Sequence, residues 1–307
     1  MIHPDRRKFL AGSMTAAVVP MLDSPLTAQK QDAGYIDAHV HVWTPDTTAY
    51  PLAPGYVKAD MSPPSFTPEQ LFAHCRPTGV TRIVLIQMSY YQLDNQYMLD
   101  MMKQFRNVFG GVGIVDEQSH PVRDMLRMAR RGVRGFRIRS QGKRADQWLT
   151  GPGMHAMWEA GANHGLAMCH LIDAEYLESV AAMCRRHPDT PVVIDHFARI
   201  GVDGQIREND LTALCELAKH KNVTVKISAY YALGKKQAPY TDLIPMIKRC
   251  LDAFGPERLM WASDGPFQVV KGHHYAPSID LIKKADFLSA GDRDWLLRGT
   301  ADRVFFQ

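Results

Sequence analysis

The sequence predicts a single (β/α)8 barrel, the TIM-barrel class of α/β fold, and two observations carry that prediction. From Tyr35 onward, eight short apolar, often β-branched runs alternate with longer amphipathic segments, and no Gly/Ser-rich or Pro-rich linker divides them. Eight strand–helix pairs in about 270 residues match the size of such a barrel, and no glycine-rich phosphate fingerprint follows the first run to suggest a doubly wound sheet.

In chain order, the strand candidates are 35–42, 82–88, 108–115, 133–138, 166–171, 191–195, 223–228 and 258–263. Most are near-continuous apolar runs, as parallel strands covered on both faces require. Thr67 is a cap candidate for a helix opening at Pro68. Further helical patterns cover 97–106, 122–131, 154–164, 175–186, 208–220, 241–254 and 278–288. Several stop at glycine or at a Gly-Val or Asn-Val entry into the next strand, the expected helix-to-strand turn.

Ahead of the barrel, Asp5-Arg6-Arg7-Lys8-Phe9-Leu10 precedes an uncharged, mildly apolar stretch from Ala11 to Leu22. The pattern resembles a twin-arginine export signal, which divides the chain into a signal at 1–28 and a barrel domain at 29–307. It implies transient contact with the twin-arginine export machinery and a periplasmic or exported protein; if the signal does not function, the protein stays in the cytoplasm. The stretch is too short to span a bilayer as a mature helix, so no stable membrane anchor is expected.

Composition narrows the function. The 307 residues are 46% hydrophobic and 22% charged, enough for a large core. A net charge of +4, or +3 without residues 1–28, is too mild and too scattered for nucleic acid. Five cysteines without a CxxC spacing exclude a disulfide framework and a cysteine-rich zinc module, and all five read as buried and reduced. Thirteen histidines direct attention to imidazole chemistry.

Asp37-Ala38-His39-Val40-His41 closes the first strand, where a period of two puts His39 and His41 on one face. Such a pair alone is weak, because paired histidines often only pack. His170 closes the fifth strand, His196 the sixth and Asp264 the eighth. A barrel brings these ends to one mouth, where four imidazoles and a carboxylate suit a divalent ion such as zinc. Arg137 and Arg139 share a face at the end of strand four, and Arg199 follows His196 by three residues; guanidinium groups there suit a carboxylate, or else pair with loop acids. Trp43, Tyr90 and Tyr230 are candidate pocket walls and hydroxyl donors, with Tyr91 and Tyr231 on the same rim. Lys226 has the parity of Ser228 in strand seven, fitting an inward reach or a structural ion pair.

This constellation resembles the amidohydrolase superfamily, in its amidohydrolase-related branch of sugar-lactone and dicarboxylate-lactone hydrolases. The residues carrying the likeness are DAHVHVW at 37–43, GVRGFRIR at 132–139, CHL at 169–171, VIDHFAR at 193–199, VKIS at 225–228, LMWASD at 259–264 and GTADRVFF at 299–306. The resemblance implies His39, His41 and Asp264 as ligands of one divalent ion, with His170 added. It implies His196 as a group that polarises substrate or activates water, and Asp264 as the base taking the water proton. Strand four carries no bridging Lys or Glu, which implies one ion rather than two. Some relatives work without metal, using the same His and Asp directly. Asp264-Gly265-Pro266-Phe267 stands where the branch usually has Asp-Trp-Pro-His, so the pocket wall is altered.

The reading favoured by the sequence is a metal-dependent lactonase acting on a small, anionic, carboxylated or sugar-derived lactone, with self-association left open. The alternatives are a nonoxidative decarboxylase of an unsaturated or aromatic acid and an exported binding protein without turnover.

Overall fold

The computed structural model describes residues 34–140 and 142–307; the sequence-predicted signal at 1–28 lies outside the described residues. Eight parallel strands follow one another around a barrel: β1 Tyr35–Val40, β2 Val80–Ile86, β3 Phe109–Gly113, β4 Val133–Arg139, β5 Ala167–Leu171, β6 Val192–Ile194, β7 Val223–Ser228 and β8 Leu259–Ala262. All eight predicted strands are present. Just beyond the strand ends, β8 meets β1 again: Asp264 N donates to His39 O at 2.9 Å and His41 N to Gly265 O at 2.8 Å.

The outer layer contains α1 Pro68–Cys75, α2 Gln96–Gln104, α3 Pro121–Ala129, α4 Pro152–His164, α5 Leu177–Arg186, α6 Glu208–Glu216, α7 Ile244–Phe254 and α8 Tyr275–Lys283. The predicted cap is formed, with Gln70 N donating to Thr67 Oγ1 and Thr67 N donating to Gln70 Oε1. Two further helices, α9 Ala290–Asp294 and α10 Thr300–Phe305, end the chain. Ala301 and Phe305 pack with Ile36, Val84, Val193 and Met260, so α10 plugs the end of the barrel where the strands begin.

Parity explains which side chains reach the inside. In β5, Ala167 and Cys169 belong to the inner core, whereas Met168 packs outward with the helices. In β1 the pairing with β2 shifts register between Asp37 and Val40. This bulge breaks the alternation, so that Ile36 and Ala38 fill the inner core and yet His39 and His41 still meet at the mouth.

Candidate active site

Three donors converge where β1 and β8 end. His39 Nε2 lies 3.3 Å from His41 Nε2, and each is 3.5 Å from Asp264 Oδ1. Ligands about 2.0–2.1 Å from a tetrahedral zinc ion stand roughly 3.3 Å apart, so the spacing fits. Asp264 Oδ1 is also buried with no hydrogen-bond partner among the described residues, as a carboxylate oxygen awaiting a cation would be. The electrostatics agree. Burial pushes His41 and His196 below the ordinary histidine range, and burial with the nearby Lys226 ammonium does the same, more strongly, for His39. Burial would raise the Asp264 carboxyl, but His196, His41 and His39 outweigh it and hold the group below the carboxylate range. Neutral imidazoles beside an anionic carboxylate are the protonation states a metal requires.

His196 completes the floor. Its Nε2 is 3.7 Å from Asp264 Oδ2, and its Nδ1 is 2.7 Å from Ser228 Oγ. The backbone there is unusual: His196, Phe197, Ala198 and Arg199 all have φ between 52° and 56°, a left-handed turn made without glycine. Asp264 has φ 63° and Ala229, after β7, has φ 59°. Left-handed backbone thus occurs at three neighbouring strand ends around the mouth.

Above the floor lies a cavity of about 270 Å³. Its lining includes Arg137, Arg139 and Arg199 together with the apolar side chains of Met88, Val202, Leu233 and Phe267. Among the described residues neither Arg137 nor Arg139 has an ion-pair partner, and Arg137 Nε is buried without a hydrogen bond. Arg199 is already paired with Asp173 at 3.1 Å.

Four expected site residues stand elsewhere. His170 is not a member of the donor cluster: its side chain follows Met168 outward and lies between Trp148 and Trp158, with ring centroids 5.6 and 5.5 Å away. The physical reason is parity, because Cys169 takes the inward position of β5. Tyr230 is fully buried against Tyr240, and its neighbour Tyr231 reaches the cavity and donates to Asp264 Oδ2 at 2.7 Å. Tyr90 is a strut, donating to Asp60 O and accepting from Ser62 N. Trp43 lies tilted beside Phe267, donates to Pro63 O and is not among the residues that line the cavity.

Sequence reasoning missed Asp195 and Asp37. Asp195 is buried beside Lys226 at 3.0 Å and His39 at 3.5 Å; being the residue before His196, it sat in view inside VIDHFAR. Asp37 accepts from His39 N, from Ser263 N and Oγ, and from the Tyr275 hydroxyl, tying β1 to β8. Cys215 is half-exposed, unlike the other four cysteines.

Known proteins resemble this chain in sequence and in fold. The chain is 32% identical over 243 residues to an L-fucono-1,5-lactonase of Burkholderia ambifaria, covering 78% of this chain and 82% of the relative. It is 28% identical to a 2-pyrone-4,6-dicarboxylate hydrolase of Comamonas testosteroni, over 83% of this chain and 88% of the relative. A crystal structure of a Burkholderia multivorans amidohydrolase with bound zinc shares the fold, with TM-score 0.75, 24% identity and coverage of 89% of this chain and 99% of that one. The amidohydrolase family model matches residues 36–307, nearly the whole barrel, and the chain therefore belongs to the amidohydrolase family of hydrolases.

Proposed function

We propose that the protein hydrolyses a small anionic lactone. The carrying observation is the single cavity that has His41, His196 and Asp264 as its floor and two unpaired arginines in its wall. The lactone class is supported by the names of the relatives. An anionic substrate is supported by Arg137 and Arg139, which can hold a carboxylate bidentately. The apolar lining residues Met88, Val202, Leu233 and Phe267 favour a lactone with an apolar portion over a polyhydroxylated sugar lactone.

His39, His41 and Asp264 would hold one divalent ion, with zinc favoured by the nitrogen-rich donor set. Such an ion supplies Lewis acidity toward a carbonyl and acidifies water. The protein's own groups do the rest. Asp264, held anionic, takes a proton from the attacking water as the carbon–oxygen bond to the carbonyl forms. The ring carbon–oxygen bond then breaks, and the proton passes to the departing ring oxygen with His196 Nε2 within reach. Tyr231 keeps the Asp264 carboxylate turned toward the cavity.

Turnover of pyrone carboxylates and muconolactone-type acids, compared with aldonolactones and followed by proton release, tests this reading. Ring opening that is abolished in Asp264→Asn supports it; inertness toward every lactone, or release of carbon dioxide in place of ring opening, overturns it. We also propose export through the twin-arginine route, which replacement of Arg6-Arg7 by Lys-Lys should block.

A further inference from the structure

A hydrogen-bond chain runs through the candidate active site, and the chemistry of the groups at its two ends gives it a direction. At one end Lys226 Nζ, fully buried and 3.0 Å from Asp195 Oδ1, makes a hydrogen bond of 3.2 Å to His39 Nδ1. A lysine ammonium only donates, so Nδ1 is the acceptor and the proton of the neutral His39 ring lies on Nε2. At the other end His41 Nδ1 is 2.9 Å from Ile86 O. A carbonyl only accepts, so His41 Nδ1 carries its proton and Nε2 offers a lone pair. The two Nε2 atoms face one another at 3.3 Å, one protonated and one not, which makes their contact a hydrogen bond rather than a clash. All three contacts agree on one order, from Lys226 through His39 and His41 to Ile86.

The consequence is specific to this chain's pair of histidines. His41 is preset as a metal ligand, while His39 presents a proton where a ligand must present a lone pair. For His39 to bind an ion through Nε2, its proton must leave Nε2 and Nδ1 must take one, turning from Lys226 toward Asp195 Oδ1, which stands 3.5 Å away. A carboxylate accepting from the far nitrogen of a metal-bound histidine is the arrangement that raises ligand basicity. We propose that Lys226 is a positioning residue that fixes the His39 tautomer and thereby restrains metal loading of the site. Lys226 competes with Asp195 for one ring nitrogen, and the outcome decides whether His39 serves the site as hydrogen-bond donor or as ligand. The inference builds on the donor set proposed above, but its readouts do not depend on any substrate being turned over.

The test uses metal-stripped full-length protein labelled with 15N-histidine, with His39 assigned by comparison with His39→Asn. The wild type is expected to show an unprotonated Nδ1 and a protonated Nε2 at His39; the reverse overturns the proposal without any variant. In Lys226→Met, which keeps the chain length and removes the donor, the tautomer should invert and zinc should bind about tenfold tighter or more by titration against a chelating dye. Lys226→Arg, which retains a donor, should hold the wild-type tautomer and affinity. Tighter zinc binding in Lys226→Met with an unchanged tautomer would mean that removal of positive charge alone acts, and would overturn the assignment, as would unchanged affinity.

Discussion

The hydroxyl of Tyr231 donates to Asp264 Oδ2 at 2.7 Å, so the proposed base leans on a side chain from the neighbouring strand end, not only on the histidines. A hydrogen bond to the charged form of a carboxyl stabilises that form. Asp264 is held below the ordinary range, so hydrolysis that needs its carboxylate is retained above its folded pKa and lost as pH falls through it. Removing the Tyr231 donor raises that pKa. Tyr231→Phe should therefore move the acid limb of the kcat/KM profile to higher pH, and lower the plateau by about ten- to a hundredfold, since a hydrogen bond to a charged group contributes about 1.5–3 kcal/mol. An unchanged acid limb would detach Tyr231 from the base.

The two strand-four arginines and Arg199 differ in what they have left to offer. Arg137 and Arg139 face the cavity unpaired, whereas Arg199 already shares its charge with Asp173 at 3.1 Å in a half-exposed ion pair. Arg137→Met should raise KM for a carboxylated lactone by about ten- to a hundredfold with a smaller effect on kcat, the signature of lost binding common to ground and transition states. Arg199→Met should change KM by only a few fold, since exposed pairs contribute about 0.2–1 kcal/mol. Steady-state kinetics on one anionic substrate compares the two directly.

The turn after β6 has its own liability. Ala198 is buried, with φ 53° in the middle of four consecutive left-handed residues, and it separates His196 from Arg199. A β-branched residue is a genuine outlier at positive φ, and extra methyl groups at a buried position add overpacking. Ala198→Val should cost about 2–4 kcal/mol of stability in urea unfolding, and any folded fraction should show impaired turnover because His196 moves with the turn.

The fold was legible because its signal is redundant. Strand runs and the helical segments between them repeat eight times, so errors of two or three residues at individual boundaries leave the topology unchanged. Strand-end chemistry was legible at His39, His41, His196 and Asp264 for the same reason: barrel topology fixes where such ends meet. What failed was phase. The bulge in β1 left the predicted pairing of His39 and His41 intact, but one step of phase in β5 exchanges Cys169 for His170 at the inner face. After β7 the chain turns through Ala229 at φ 59°, and this selects Tyr231 over Tyr230 for the cavity. A period of two cannot be carried through such points from sequence alone.

His170 puts that conclusion to a direct test. Its ring is fully buried between Trp148 and Trp158, and burial presses its pKa down to about 3, so it is neutral throughout the physiological range. Neither ring nitrogen has a hydrogen-bond partner among the described residues. A neutral, unpartnered aromatic ring on the helix-facing side of β5 is replaceable by one of similar shape without a polar group. His170→Phe should leave zinc affinity and kcat/KM within about twofold of wild type and change stability by no more than about 1 kcal/mol, whereas His41→Phe should abolish zinc binding. Loss of zinc in His170→Phe, with folding intact, would restore His170 to the ligand set and show that β5 presents its other face.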